Sequence, residues 1–204
     1  WADASVYQYN VANGEEIGRI RLGSHTTDMV LSDYQPPVEE GQEAVAWKYR
    51  LFVAAANTNS VFAVGIGANK TMRMVDTINI APDTLSPLGM TPSALALTAD
   101  QKKLFVACSD ADAVAAVDVS DRRGVLEEFI PTGAYPTAVR VIDDQVVTVN
   151  GYGGPVQGAA FEPTQVAGAV KPRTDRHVVY RIPSGDPVQT MRAMAGIAPD
   201  YTVK

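Results

Sequence analysis

Asp110 and Asp112 stand at alternate positions between two apolar runs, and alternate carboxylates on a turn are how a calcium-binding loop begins. The glycine and distal Glu that such a loop requires do not follow, so the pair reads as turn-capping carboxylates. Of the two histidines, His25 and His177, neither belongs to a metal-spaced pair such as H-x-x-x-H, and neither a metal site nor a cofactor is expected from this chain alone. His177, between Arg176 and Val178, reads as a strand-edge residue. No G-x-S-x-G elbow is present, so serine-hydrolase chemistry lacks its nucleophile turn and no catalytic residue is assigned. Gly151-Tyr152-Gly153-Gly154 would let a backbone approach an anion, but a strand-like run precedes it and Pro155 follows, which excludes a dinucleotide fingerprint. A redox cofactor finds no Cys, Trp or His attachment pattern. Asn69-Lys70-Thr71 fits a glycosylation sequon and reads as a hairpin corner.

Binding is better served than catalysis. His25, Thr91 and Tyr135 each stand two residues after a glycine, at Gly23, Gly89 and Gly133, where an apolar run begins. A ligand, where one binds, is expected at those loop ends, and the plainer reading of His25 is a structural or solvated side chain. The second candidate is the stretch 34–49, in which Pro36-Pro37 and the acids Glu39, Glu40 and Glu43 lead into Trp47 and Tyr49. An acidic loop ending in two aromatics can form a recognition rim on a rigid scaffold. The alternative is a surface loop whose Trp47 and Tyr49 fold back onto the sheet.

The elements that must position these residues are short strands. Residues 91–119 hold apolar runs at 94–97, 104–108 and 114–119, each long enough for a strand and too short for a typical helix, with polar corners between them. The order recurs upstream in HTTDMVL, RLFVAAANTNSVFAVGI and MVDTINIA, and begins again in YPTAVRVIDDQVVTVNGYG. Gly89 and Gly133 lie 44 residues apart. A period in the forties with about four strands per unit marks β-propeller blades. The fold class is therefore all-β, a propeller of four-stranded antiparallel blades. Residues 1–23 form a partial blade with an Asn13-Gly14 hairpin corner, 24–88 a blade with 34–49 inserted, 89–132 a blade, and 133–204 a partial blade with a long Gly-, Ala- and Pro-rich insertion before RHVVYRI. The segments 51–55, 104–108 and 146–149 are expected as equivalent inner strands. At about 45 residues a blade this is an incomplete ring of about three to four blades. The missing blades are expected from another chain, a longer parent polypeptide or a second copy.

Composition narrows the partners. Of 204 residues 46% are hydrophobic, enough for a core, yet no run approaches the roughly 18 apolar residues of a membrane span. A net charge of −6 argues against nucleic acid, whose phosphates need a basic surface. The single cysteine, Cys108, excludes an intrachain disulfide and reads as a buried, inert thiol. Trp1 is preceded by no leader, so any targeting segment has been removed or lies outside this chain.

SPLGMTPSALALTADQKKLFVACSDADAVAAVDVS, followed by FIPTGAYPTAVRV and VVTVNGYGG, resembles the bacterial YVTN-type β-propeller proteins, and among them those whose propeller precedes a phosphoesterase domain of the alkaline phosphatase superfamily. The resemblance runs from about Gly23 to Gly154. The family's strand end of Tyr-Val-Ala-Asn reads Phe52-Val53-Ala54-Ala55-Ala56-Asn57 and Phe105-Val106-Ala107-Cys108 here, Ala134 replaces its tryptophan, and Asp100-Gln101 and Asp143-Asp144 replace its Asp-Gly turn. It implies an extracytoplasmic protein and two function classes. One is a noncatalytic module whose loop face binds a protein, a polymer or an adjacent domain; the other is the accessory portion of a phosphoesterase whose metal-binding catalytic domain this chain does not include.

Overall fold

The computed structural model describes residues 4–38, 40–82, 88–143 and 145–151, with the backbone of Tyr180 and Arg181. His177, Tyr152 to Gly154 and the long insertion lie outside the described residues. Apart from one 3-10 turn at Ser109–Ala111, every regular element described is a strand. β1 (Ser5–Tyr9) and β2 (Glu16–Arg21) make a hairpin. β3 (Thr26–Ser32), β4 (Tyr49–Ala55), β5 (Ser60–Ile66) and β6 (Met72–Asn79) form an antiparallel sheet in chain order. A second sheet runs β7 (Pro92–Leu97), β8 (Lys103–Cys108), β9 (Ala113–Asp118) and β10 (Val125–Pro131), and β11 (Pro136–Ile142) with β12 (Gln145–Asn150) make a second hairpin. The two residues of β13 (Tyr180–Arg181) pair with β10 at Phe129 and Glu128. The described residues are thus all-β and built into antiparallel sheets.

The patterning explains the layering. β4, β8 and β9 are apolar without alternation and buried along almost their whole length, because each lies in the middle of a sheet covered on both faces. β2 and β10 alternate, and alternation is what a strand with one wet face shows. The three segments expected as equivalents are strands, and they fall second in their sheets, beside β3, β7 and β11. Three cores result. Val6 and Leu22 of the first hairpin meet Val53 and Phe62; Phe52 and Ile78 meet Leu95 and Val106; Phe105 and Val114 meet Val139.

Side chains fix the spacing between sheets. The Thr27 hydroxyl on β3 donates to the Pro92 carbonyl at 2.9 Å, and its counterpart Ser93 on β7 donates to the Pro136 carbonyl at 3.0 Å. Arg50, 1% exposed, crosses from β4 to the corner after β9, donating to the carbonyls of Asp121 at 2.6 Å and of Val119, with its guanidinium 4.9 Å from the Phe52 ring. Gln101, in the left-handed region at φ 59°, occupies the turn between β7 and β8. Its side chain holds the start of the 34–49 excursion, accepting from the Asp33 amide at 2.9 Å and donating to the Asp33 carboxylate at 2.7 Å.

Candidate functional site

The three expected loop ends coincide in backbone geometry. His25, Thr91 and Tyr135 all take left-handed conformations, at φ 53°, 48° and 56°. Each carbonyl accepts from the first amide beyond the second strand of its own sheet: Ala56 onto His25 at 2.9 Å, Ser109 onto Thr91 at 3.0 Å, Gly151 onto Tyr135 at 2.8 Å. All three residues are half-buried. Since β3, β7 and β11 pack side by side, the three lie at one end of consecutive sheets.

Polar side chains brace this end. Asn59 in the β4–β5 corner accepts from the amides of Gly89 and Met90 at 3.1 and 3.0 Å, so the corner of one sheet holds the loop that starts the next. Asp112, in the β8–β9 corner at φ 50°, does the same for the following loop, accepting from the Tyr135 amide at 2.8 Å. Asp110 accepts from the Thr91 hydroxyl at 2.5 Å. Both carboxylates are therefore turn caps, and among the described residues no group of three or more His, Cys, Asp or Glu side chains is placed to hold a metal. The pairing of Asn59 with Asp112 escaped the sequence reading, although their shared place at the corner before a third strand was the available signal.

Burial lifts the Asp112 carboxyl above its ordinary 3.8, with the Asp110 charge adding to the rise and the Tyr135 amide opposing it. A carboxyl whose folded value exceeds its unfolded one favours folding at low pH and loses that contribution as the pH rises through the folded value. Asp112→Asn keeps an oxygen for the Tyr135 amide and removes the charge. Its melting temperature is expected to exceed wild type at neutral pH and to fall level with it well below 3.8; a gap of the same size at both would refute the assignment.

Trp47 and Tyr49 are not brought to this end. β3 runs away from His25 and β4 returns toward it, so the excursion between them emerges about 20 Å from the loop ends, a seven-residue strand at ~3.3 Å per residue. Tyr49 is the first residue of β4, opposite Ile66. Trp47 is half-buried against the sheet, its Cβ 3.0 Å from where a Cβ on Gly65 would stand. The two aromatics fold back onto the sheet, while Arg122 pins the excursion through the Glu43 carbonyl. At the corner Asn69-Lys70-Thr71, Asn69 Oδ1 accepts from the Thr71 amide at 3.2 Å and hydroxyl at 2.7 Å, which closes the β5–β6 hairpin. Cys108 is fully buried, and burial pushes its thiol up to about 12, which holds it in the protonated form.

No protein-family model matches the chain, and no curated protein does. Solved structures do. A functionally unknown protein from Desulfotomaculum acetoxidans is similar at a TM-score of 0.50 and 15% identity over 72% of this chain and 41% of its own. Hydrazine synthase from Kuenenia stuttgartiensis gives 0.49 and 16%, over 72% of this chain and 52% of its own. The chain thus spans about half or less of these structures, and at 15% identity the likeness to the first is one of fold alone.

Proposed function

We propose that this chain is an arc of a YVTN-type β-propeller and works as a binding module, holding a protein, a polymer or a neighbouring domain on the loop face that carries His25, Thr91 and Tyr135. One observation carries the reading: a non-glycine residue with a polar side chain stands in the left-handed region at the same position of three consecutive sheets. That conformation costs roughly 1–2 kcal/mol per residue, and two of the three precede proline, which disfavours helical backbone further. Strain kept at equivalent positions of a rigid scaffold favours a surface retained for contact. The order LGMTP, IPTGAYP and VNGYGG supports the family and, with it, an extracytoplasmic location. The same motifs support a second reading, an accessory propeller that positions substrate for a phosphoesterase domain.

The test compares the immobilised wild-type chain with a His25→Ala/Tyr135→Ala variant on a glycan array and in an extracytoplasmic bacterial extract. A species retained by wild type and lost about tenfold by the variant, roughly 1.4 kcal/mol of binding, is the expected result. Equal retention removes the loop face from the reading.

A further inference from the structure

Two asparagines of the chain precede glycine, Asn13 before Gly14 and Asn150 before Gly151. Such a pair can react with itself: the following amide nitrogen closes a five-membered ring on the asparagine Cγ, and glycine has no side chain to shield that nitrogen. The remaining asparagines, Asn10, Asn57, Asn59, Asn69 and Asn79, precede Val, Thr, Ser, Lys and Ile, whose side chains hinder the same approach.

The fold treats the two pairs differently. Asn13 and Gly14 are exposed at the corner between β1 and β2, and a Cβ built on Gly14 meets no described atom within 4 Å. Asn150 is half-buried at the end of β12, in register with Pro136, and its side-chain oxygen is closed off from solvent. A Cβ built on Gly151 would stand 3.4 Å from Thr137 Cγ2, from Tyr135 Cδ1 and from the Tyr135 carbonyl oxygen. Both glycine amides are hydrogen-bonded, Gly14 to the Asn10 carbonyl and Gly151 to the Tyr135 carbonyl, each at 2.8 Å. The first bond closes an exposed corner, which opens locally at small cost, whereas the second belongs to a packed sheet end and has counterparts at His25 and Thr91.

We propose that Asn13 is a site of spontaneous amide loss in the folded protein, and that the packed end of β12 withholds Asn150 from the same chemistry. The Gly14 nitrogen gives its proton to solvent base and bonds to Asn13 Cγ; the Cγ–Nδ2 bond breaks and ammonia leaves with a proton from water. A second water opens the resulting succinimide. Opening at Cγ yields aspartate, and opening at the main-chain carbonyl yields isoaspartate, whose backbone runs through Cγ and is longer by one carbon. No oxidation is involved, and each product carries one further negative charge.

Glu15 restrains the reaction. Its carboxylate accepts from Asn13 Nδ2, the leaving group, at 2.8 Å, and its amide donates to Asn13 Oδ1 at 3.2 Å. The carboxylate charge also opposes ionisation of the neighbouring Gly14 amide. Isoaspartate at position 13 undoes the corner that joins β1 to β2, the strands flanked by the core residues Val6 and Leu22. The six residues of β2 separate this corner from the turn that ends in His25, so conversion there leaves the loop face in place.

The test incubates the full folded chain in mildly alkaline buffer and follows each asparagine by digestion and mass spectrometry, with isoaspartyl methyltransferase labelling to separate isoaspartate from aspartate. Conversion is expected at Asn13 well ahead of Asn150 in the folded chain, and at comparable rates for the two in urea, where packing no longer distinguishes them. Glu15→Ala is expected to convert about threefold faster than wild type, the weight of one exposed hydrogen bond. Gly14→Ala, with the hairpin kept, is expected to convert far more slowly. An Asn13 that stays intact, an Asn150 that converts as fast in the folded chain, or the same order persisting in urea overturns the proposal. A Glu15→Ala rate no higher than wild type overturns the part given to Glu15.

Discussion

Arg50→Ala is expected to lower folding stability by about 3 kcal/mol, read as a fall in the urea midpoint at unchanged slope. The guanidinium sits between the two full sheets, and burial depresses its basicity, with Asp76, Tyr34 and Asp121 acting in the opposite direction. No carboxylate lies within ion-pair distance of it among the described residues, so carbonyl oxygens and the Phe52 ring take the place of a counter-ion. Truncation strands the buried Val119 carbonyl, at roughly 1–3 kcal/mol for an unsatisfied group, and opens a cavity where the side-chain stem packed. Against this stands the relief of a desolvated charge, and replacing buried ions by apolar groups of similar volume is often neutral. Arg50→Met is therefore expected to lose less than half as much as Arg50→Ala. Arg50→Lys is expected nearer to Ala, because a compact ammonium does not span two carbonyls. Equal losses for Met and Ala would show that the hydrogen bonds carry the effect and packing does not.

Arg50 also shows where sequence reading stops. Strands at 104–108 and 114–119, and the hairpin corner at Asn13-Gly14, were legible because apolar runs and turn residues are local signals. The three loop ends were legible because the glycines two positions earlier repeat. An arginine inside an apolar run reads as a strand-edge charge until the neighbouring sheet supplies the Val119 and Asp121 carbonyls, 69 and 71 residues away. Gln101 is similar: in the sequence it is a departure from a glycine turn, and only the contact with Asp33 gives that side chain a task. Trp47 and Tyr49 were open to two readings, a recognition rim or a return onto the sheet, and it is the side-chain-free Gly65 beneath Trp47 that seats the indole on the sheet.

Gly23→Ala is expected to cost about 3 kcal/mol, against about 1 kcal/mol for Gly14→Ala, although both glycines have positive φ, at 43° and 74°. The difference is space. A methyl group on Gly14 meets nothing within 4 Å, whereas one on Gly23 would stand 2.5 and 2.8 Å from atoms of the Phe62 ring, far inside van der Waals contact. Phe62 is buried in the core that holds the first hairpin to the first full sheet, so the ring has little room to retreat, and overpacking of this kind costs roughly 1–3 kcal/mol beyond the backbone term. Phe62→Leu in the Gly23→Ala background should then recover part of the loss, giving a coupling of about 1 kcal/mol between neighbours that are far apart in sequence. The same clash displaces the segment that ends in His25, so Gly23→Ala should weaken loop-face binding where Gly14→Ala does not. Urea unfolding of the two single variants and the double variant decides the matter: strictly additive losses would mean that strain at φ alone, and not the Phe62 ring, keeps glycine at position 23.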